Sequence, residues 1–490
     1  MLFRSAQKYF DQGLSLVYGF NRYEGLRSFR KAAELDPKAP MAYWGISFAL
    51  APYINMDGDP SYDIKESCAA LQKGLALQGV NATERAWLET ANTRCPDFAD
   101  PAHYVKATRD LAAKYPDDLD AQVLYADALM IPTRWHWYGA DGKPAAGTQE
   151  AESVLEAVLR RTPTHAYANH LYIHAVESSP NPERAIPSAQ RLMGIVPAEG
   201  HMVHMPGHIW LVVGDFNNAV AVNERAAEVD KKYFAQSGVT GSYYMYYLHN
   251  LNFILYVRMM QGRVVDTRKA EQQLAEASAP MMQTMPEMSA MLTAPVTLAE
   301  LRMNRWDDLI AAPQPKDTSA TTLAIWRYSR ALSLAMKGKL DDARKEQTEF
   351  ETQRKKIDRK QGWGENSIGD VLDMAAEILE ARMAASPADA VAGFKKAVAL
   401  QDALTYDEPP AWYYPVRESL GAALLRAGDT AGAEAVFREG IRRSPNNGRM
   451  LFGLIESLKA GGKPDAAALV QKEFDSAWKG ADLKLRLSDL

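Results

Sequence analysis

The sequence predicts an all-α solenoid of stacked helix–turn–helix repeats, and three observations predict it. Blocks in which glycine, an aromatic residue and alanine follow in fixed order occur near both ends and in the middle of the chain. Prolines close such blocks at a regular interval, with Pro163 and Pro197 standing 34 residues apart. Val and Ile fall at helical spacing, and the apolar–polar alternation of strands is nearly absent.

Each element follows in turn. Residues 1–131 carry Gly13, Phe29, Ala32 and Pro37 in repeat order. Residues 132–147 break it. Trp135, His136, Trp137, Tyr138, Gly139, Gly142 and Pro144 make an aromatic loop, either packed down on the surface or acting as a lid. Residues 148–310 resume the pattern, and Val213-Gly214-Asp215-Phe216-Asn217-Asn218-Ala219-Val220 reads as a tight turn between two helices. Residues 311–321, with Pro313 and Pro315, read as a linker. Residues 322–490 close with Leu420-Gly421, Gly428, Ala433, Phe437 and Pro445. Pro116, Pro163, Pro197 and Pro387 are further repeat-ending prolines. Small residues let paired helices approach closely. A 34-residue period is that of the tetratricopeptide repeat (TPR), so the predicted class is a TPR-type α–α superhelix. One such unit cannot bury its apolar stripe alone, and stacked neighbours share a continuous core.

Composition narrows the function. The 490 residues are 47% hydrophobic and 24% charged, which excludes disorder as the main state. With 56 Lys and Arg against 61 Asp and Glu, the net charge is −5, so no broad basic surface for nucleic acid is expected. No apolar run is long enough to span a bilayer. Cys68 and Cys95 are too few for a disulfide scaffold; they form one bridge in an oxidising compartment or stand as thiols. The chain opens directly on a helical pattern. That fits either a cytoplasmic protein or a periplasmic one whose signal peptide has been removed.

The chemistry concentrates in histidine. Six of the nine histidines, His165, His170, His174, His201, His204 and His208, fall within 44 residues, and His249 follows. His170, His174 and Glu177 sit at i, i+4 and i+7, on one helical face. His204 and His208 repeat the i, i+4 pair, and each lies 34 residues after its counterpart. The two pairs therefore occupy equivalent positions on the first helices of adjacent repeats. First helices line the inner groove of a TPR array, so this stripe is expected to face a concave groove. Packed helices lie about 8–10 Å apart, close enough for imidazoles from both to meet one ion. The predicted ligands are His170, His174, His204, His208, His249 and Glu177, with His201 an additional ligand or a supporting group.

The pattern is not that of a zincin, which needs Glu directly after the first His; here Leu171 and Met205 follow. Imidazole-rich sites suit zinc, copper, iron and nickel. Many histidines with few carboxylates lean to copper, with iron or zinc as alternatives. The 20 methionines, Met202, Met205 and Met245 among them, fit Cu(I) ligation or core filling. Five histidines and Glu177 exceed what a closed structural zinc needs, so an open or binuclear centre is expected.

On these blocks the chain resembles a largely uncharacterised family of bacterial TPR proteins. The matching stretches are Phe10-Asp11-Gln12-Gly13-Leu14 with Gly19-Phe20-Asn21, and Ala42-Tyr43-Trp44-Gly45. Tyr172-Ile173-His174-Ala175-Val176-Glu177 and His201-Met202-Val203-His204-Met205-Pro206-Gly207-His208-Ile209 follow. Last come Tyr247-Leu248-His249-Asn250 and Tyr406-Asp407-Glu408-Pro409-Pro410-Ala411-Trp412-Tyr413. The resemblance spans almost the whole chain. It implies a TPR superhelix and the histidine blocks as one unit, and it supplies no reaction. The family often has His after the Phe-Asn pair; Arg22 stands there, which argues against a site role for that position.

Trp135, Tyr167, Tyr247, Glu408 and Arg417 are candidates for a substrate pocket. Arg417 either holds a substrate carboxylate or forms an Arg–Glu pair that fixes a corner between repeats. Phosphate-binding glycine loops, nucleophile elbows and dinucleotide fingerprints are absent from the sequence. The expected function is a metal-dependent, copper-leaning enzyme, an oxidoreductase in class, acting on a small molecule or peptide in the groove. The alternatives are a scaffold binding a protein partner in that groove and a metal storage or delivery protein.

Overall fold

In the computed structural model, which describes residues 2–55, 62–238 and 241–490, the chain is built from antiparallel helix pairs. Among the described residues the strands are Gly362–Trp363 and Asn366–Ser367, one antiparallel pair. No helix of the described residues is long and apolar enough to cross a membrane. The chain divides into two compact units, Met1–Trp210 with Ala221–Asn250, and Leu211–Val220 with Leu251–Leu490.

In the first unit, helix Leu2–Tyr18 pairs with Arg22–Leu35, and Pro40–Leu50 with Ile64–Leu75. Helix Leu119–Met130 packs on Thr148–Arg161, and Ala166–Glu177 on Ile186–Ile195. Cys68 and Cys95 are joined by a disulfide, with Cα atoms 5.7 Å apart. The second unit continues in the same way, as Ala320–Met336 with Leu340–Arg354 and Arg417–Arg426 with Thr430–Arg443. The segment between helices Trp306–Ala311 and Ala320–Met336 has no regular structure.

The repeat grammar has a direct physical basis. Gly13 and Gly45 lie on either side of the fully buried Phe29 ring, and a Cβ on either would fall inside its van der Waals surface. Gly421, Phe437 and Gly453 repeat the arrangement, again with a fully buried ring. Gly214 and Gly428 take φ of +77° and +83° at hairpin turns, a conformation that disfavours a side chain. Pro37, Pro116, Pro163, Pro197 and Pro445 each stand three residues before a first helix. The residue just ahead of that helix then often caps it. Asp118, His165, Glu199 and Asn447 all accept from a backbone N–H of the first turn. Pro387 departs from this reading. It is the first residue of Pro387–Asp402, the second helix of a pair, where its missing N–H costs nothing.

Candidate metal centre

Helix Ala166–Glu177 is buried on every side from Tyr167 onward. It therefore presents His170, His174 and Glu177 to protein rather than to solvent. The next first helix is interrupted. Gly200–His204 ends at Met205, and Pro206, which cannot donate to the preceding turn, opens Pro206–Val212. His201, His204 and His208 still lie along one side. His249 comes from helix Tyr244–Met260.

The side chains converge in two triads. His170, His174 and His201 form one, and His204, His208 and His249 the other. Within each, the ligand atoms lie within 4.8 Å of one another. Each triad takes an i, i+4 pair from one repeat and its third imidazole from the first helix of the next. The triads are neighbours, with the His174 and His208 rings 5.4 Å apart and His201 and His204 5.7 Å apart. A third grouping of His174, Glu177 and His208 lies between them. His170, His174, His201, His204, His208 and Glu177 are at most 2% exposed, and His249 is half-buried.

Hydrogen bonds orient the rings. His170 Nδ1 donates to the Tyr18 carbonyl at 2.6 Å, and His204 Nδ1 to Asn223 Oδ1 at 2.7 Å. His174 Nδ1 donates to one oxygen of Glu177 at 2.8 Å, and His208 Nδ1 to the other. With Nδ1 committed as donor, Nε2 of all four rings is left as a lone pair. His204 Nε2 and His208 Nε2 face each other at 2.6 Å. His170 Nε2 faces His201 Nε2 at 3.1 Å. His174 Nε2 and His201 Nδ1 are buried without a hydrogen-bond partner. Whichever nitrogen of His201 carries its proton, its Nδ1 is unsatisfied.

Electrostatics reinforce the pattern. Burial pushes His170, His201 and His204 well below the ordinary imidazole pKa, and neighbouring imidazoles push them further. His174 is also lowered by burial, against the pull of Glu177. His249 is lowered to about 3, by burial and then by His208. Burial opposes ionisation of Glu177, but His208 and His174 outweigh it and its carboxyl falls below the usual range.

The first triad lies under aromatic rings. Phe20 stands 4.4 Å from the His170 ring and 5.1 Å from His201. Trp135 and Trp137 stand 5.5 and 6.1 Å from His174, and Tyr246 stands 4.5 Å from His201. The Tyr246 hydroxyl bonds to Tyr53 and Asn55. Phe20 and Trp135 both take φ of +60°, left-handed backbone that bulky residues rarely adopt. The groove-facing orientation expected for the histidines is thus not what the fold gives. The loop carrying Trp135 and Trp137, the first hairpin and helix Tyr244–Met260 cover them.

Other predicted positions separate. Tyr167 stacks on Tyr18 at 4.4 Å and stands edge-on to His170 at 6.3 Å, so it borders the first triad. Tyr247 packs on Tyr244 and Phe234. Glu408 and Arg417 belong to the second unit, where both amino groups of Arg417 grip Asp402, at 2.6 and 2.5 Å. His165 caps its helix and stands 3.3 Å from Asp120. Arg22 gives its guanidinium to the carbonyls of Phe48, Ala49 and Ala51, a structural use. The sequence alone gives no site role to Phe20, Asn223 or Glu199. Glu199 caps the His201 helix, and burial raises its carboxyl to about 8. Its place 34 residues after His165 is the sequence signal for the cap.

No family model matches the chain. An uncharacterised protein of Aquifex aeolicus (strain VF5) is 43% identical over 61 residues, which is 12% of this chain and 8% of that protein. The chain thus spans less than a tenth of that relative's length. Among solved structures, the human IFIT1 dimer with m7Gppp-AAAA aligns over 91% of this chain and 90% of its own, at 12% identity and a TM-score of 0.37. Yeast Tom70 aligns over 96% and 90%, at 12% identity and a TM-score of 0.33. The TPR-like fold rests on this chain's own helix pairs and repeat packing.

Proposed function

We propose that this chain is a transition-metal protein, that its histidine strip binds the metal through imidazole nitrogens, and that the bound metal acts on a small molecule. Copper is the first choice, with iron or zinc as alternatives, because the strip offers six imidazoles and one carboxylate. The observation that carries the reading is the set of Nε2 lone pairs turned toward one another in a buried interior. Lone pairs in contact repel, and burial disfavours the imidazolium that would relieve them. A cation between them removes the conflict, since two nitrogens about 2 Å from one ion lie about 3 Å apart.

Three features favour catalysis over stapling or storage. Three histidines leave a coordination position open for water or substrate. Glu177 orients ligating rings by their outer nitrogens, as supporting carboxylates do in metal sites. Left-handed backbone at Phe20 and Trp135 costs of order 1–3 kcal/mol each and stands beside the histidines, where such strain serves function. Burial of the strip speaks against an open peptide groove at this position. The likeness of the histidine blocks to the bacterial TPR family is consistent with their acting as a unit. The Cys68–Cys95 bridge supports an oxidising compartment such as the periplasm.

Elemental analysis of purified protein beside His174→Ala tests the reading. Near-stoichiometric copper or iron in the parent, lost in the variant with far-UV circular dichroism unchanged, is the expected result. Absence of metal from both, even after reconstitution, would discard it and favour a scaffold that binds a protein partner.

A further inference from the structure

We infer that the strip is a binuclear centre: one ion in the triad His170, His174 and His201, a second in His204, His208 and His249, with Glu177 linking the two. The inference rests on the metal-binding reading above and adds the number of ions and the role of Glu177.

These residues admit two arrangements of ions, and the two exclude each other. In the first, a single ion sits centrally among His174, Glu177 and His208. It would use the atoms that now make the hydrogen bonds, namely Nδ1 of both imidazoles and the carboxylate oxygens. In the second, those atoms keep their hydrogen bonds and the ions lie at the outer nitrogens. The neighbours decide between them. His170 Nδ1 and His204 Nδ1 are likewise committed, to the Tyr18 carbonyl and to Asn223. Four rings thus share one orientation, with Nδ1 held and Nε2 offered. A central ion would leave the His204–His208 approach at 2.6 Å and the unpartnered nitrogens of His174 and His201 unexplained. Two outer ions use the His204–His208 approach and His174 Nε2, and the first of them takes one ring nitrogen of His201.

Glu177 has one oxygen on an imidazole of each triad, so it is a positioning residue shared by both. An ion in one triad draws electron density from its histidine and strengthens that N–H···O bond. The carboxylate is then held in place for the other triad, and loading of the two ions is coupled. Its negative charge also offsets part of the charge that two cations bring into a buried space.

The test is titration of the metal-free full-length chain with Cu²⁺ alone, reading bound copper after gel filtration and the paramagnetic resonance spectrum. Two copper ions per chain are expected, with a signal broadened or attenuated by the neighbouring spin. His201→Ala and His249→Ala should each retain one copper, now with the sharp spectrum of an isolated ion. Glu177→Gln should still take two, with affinity weakened about 10–100-fold. Glutamines at 201 and 249 replace the alanines if circular dichroism shows either variant unfolded. One copper per chain, unaffected at 201 and 249 and abolished by Glu177→Gln, would overturn the inference and establish the central ion, while leaving the metal-binding reading intact. No copper in the parent chain would overturn that reading, and the binuclear centre with it.

Discussion

Glu177 and Glu418 are both 2% exposed, one in each compact unit, yet their surroundings differ in kind. Glu418 accepts from Arg302 Nη1 at 2.5 Å and Asn447 Nδ2 at 3.1 Å, and Arg449 Nε stands 2.9 Å from it as an ion pair. Its partners carry permanent positive charge, so the cluster compensates its own carboxylate without any ligand. Glu177 receives two imidazoles whose other nitrogens belong to rings facing rings. Its cluster is short of positive charge and rich in lone pairs. A buried carboxylate matched by permanent positive charge is a strut. One that orients imidazoles facing one another is what we propose as a site.

Truncating the strut has the largest expected consequence. Glu418→Ala leaves two buried guanidinium groups unpaired, and loss of one partner of such a cluster costs about 3–5 kcal/mol. Chemical denaturation should show that loss, while copper per chain in the folded fraction stays that of the parent. His174→Ala should show the reverse, metal lost with the smaller loss of stability. Equal effects of both variants on metal and stability would erase the distinction.

Acid sharpens it. His170, His201, His204 and His249 have folded-state pKa values below the unfolded value of about 6.5, so as pH falls the unfolded chain takes up protons first. Their contribution is intact above about pH 6.5 and is lost as pH falls below it. The loss is at most about 1.4 kcal/mol per pH unit for each imidazole that stays neutral in the folded chain. Metal-free protein denatured at pH 7 and pH 5 should show it, and His204→Gln should reduce the slope. A stability flat across that window would contradict the burial argument. The same depression means bound metal is displaced by protons below the ordinary imidazole range, since only the neutral ring ligates.

The all-α class and the repeat were legible because they depend on local rules. Gly13, Phe29 and Pro37 have the same spacing wherever a helix pair forms. The histidine register was legible for the same reason, as His170 and His174 recur at His204 and His208. Burial of the strip was not legible. It depends on Phe20 and Trp135, far away in sequence, folding over it in backbone conformations that no periodicity announces. The division into two triads depended on which nitrogen each ring uses, and that is set by Tyr18, Asn223 and Glu177 through tertiary contact. Arg417 was placed by chemistry alone as a substrate clamp or an Arg–Glu corner pair, and its partner is instead Asp402.

The smallest expected effect asks whether the two units, so different in their polar clusters, share one packing rule. Phe29 is held between Gly13 and Gly45, and Phe437 between Gly421 and Gly453, with the same 16-residue spacing from each glycine to its ring. A methyl group at Gly45 or Gly453 must displace a ring that is fully buried and has no open side. Both sites are helical, where alanine is intrinsically favoured over glycine by about 1 kcal/mol. Overpacking of a close-packed core costs about 1–3 kcal/mol, so the net change is destabilising but modest. Gly45→Ala and Gly453→Ala should therefore lower stability by similar amounts, and neither should change copper per chain. Pairing each with Phe→Leu at position 29 or 437 makes room for the methyl and should return part of the loss. Recovery in one unit and not the other would mean that the shared glycine spacing reflects sequence ancestry rather than a common packing constraint.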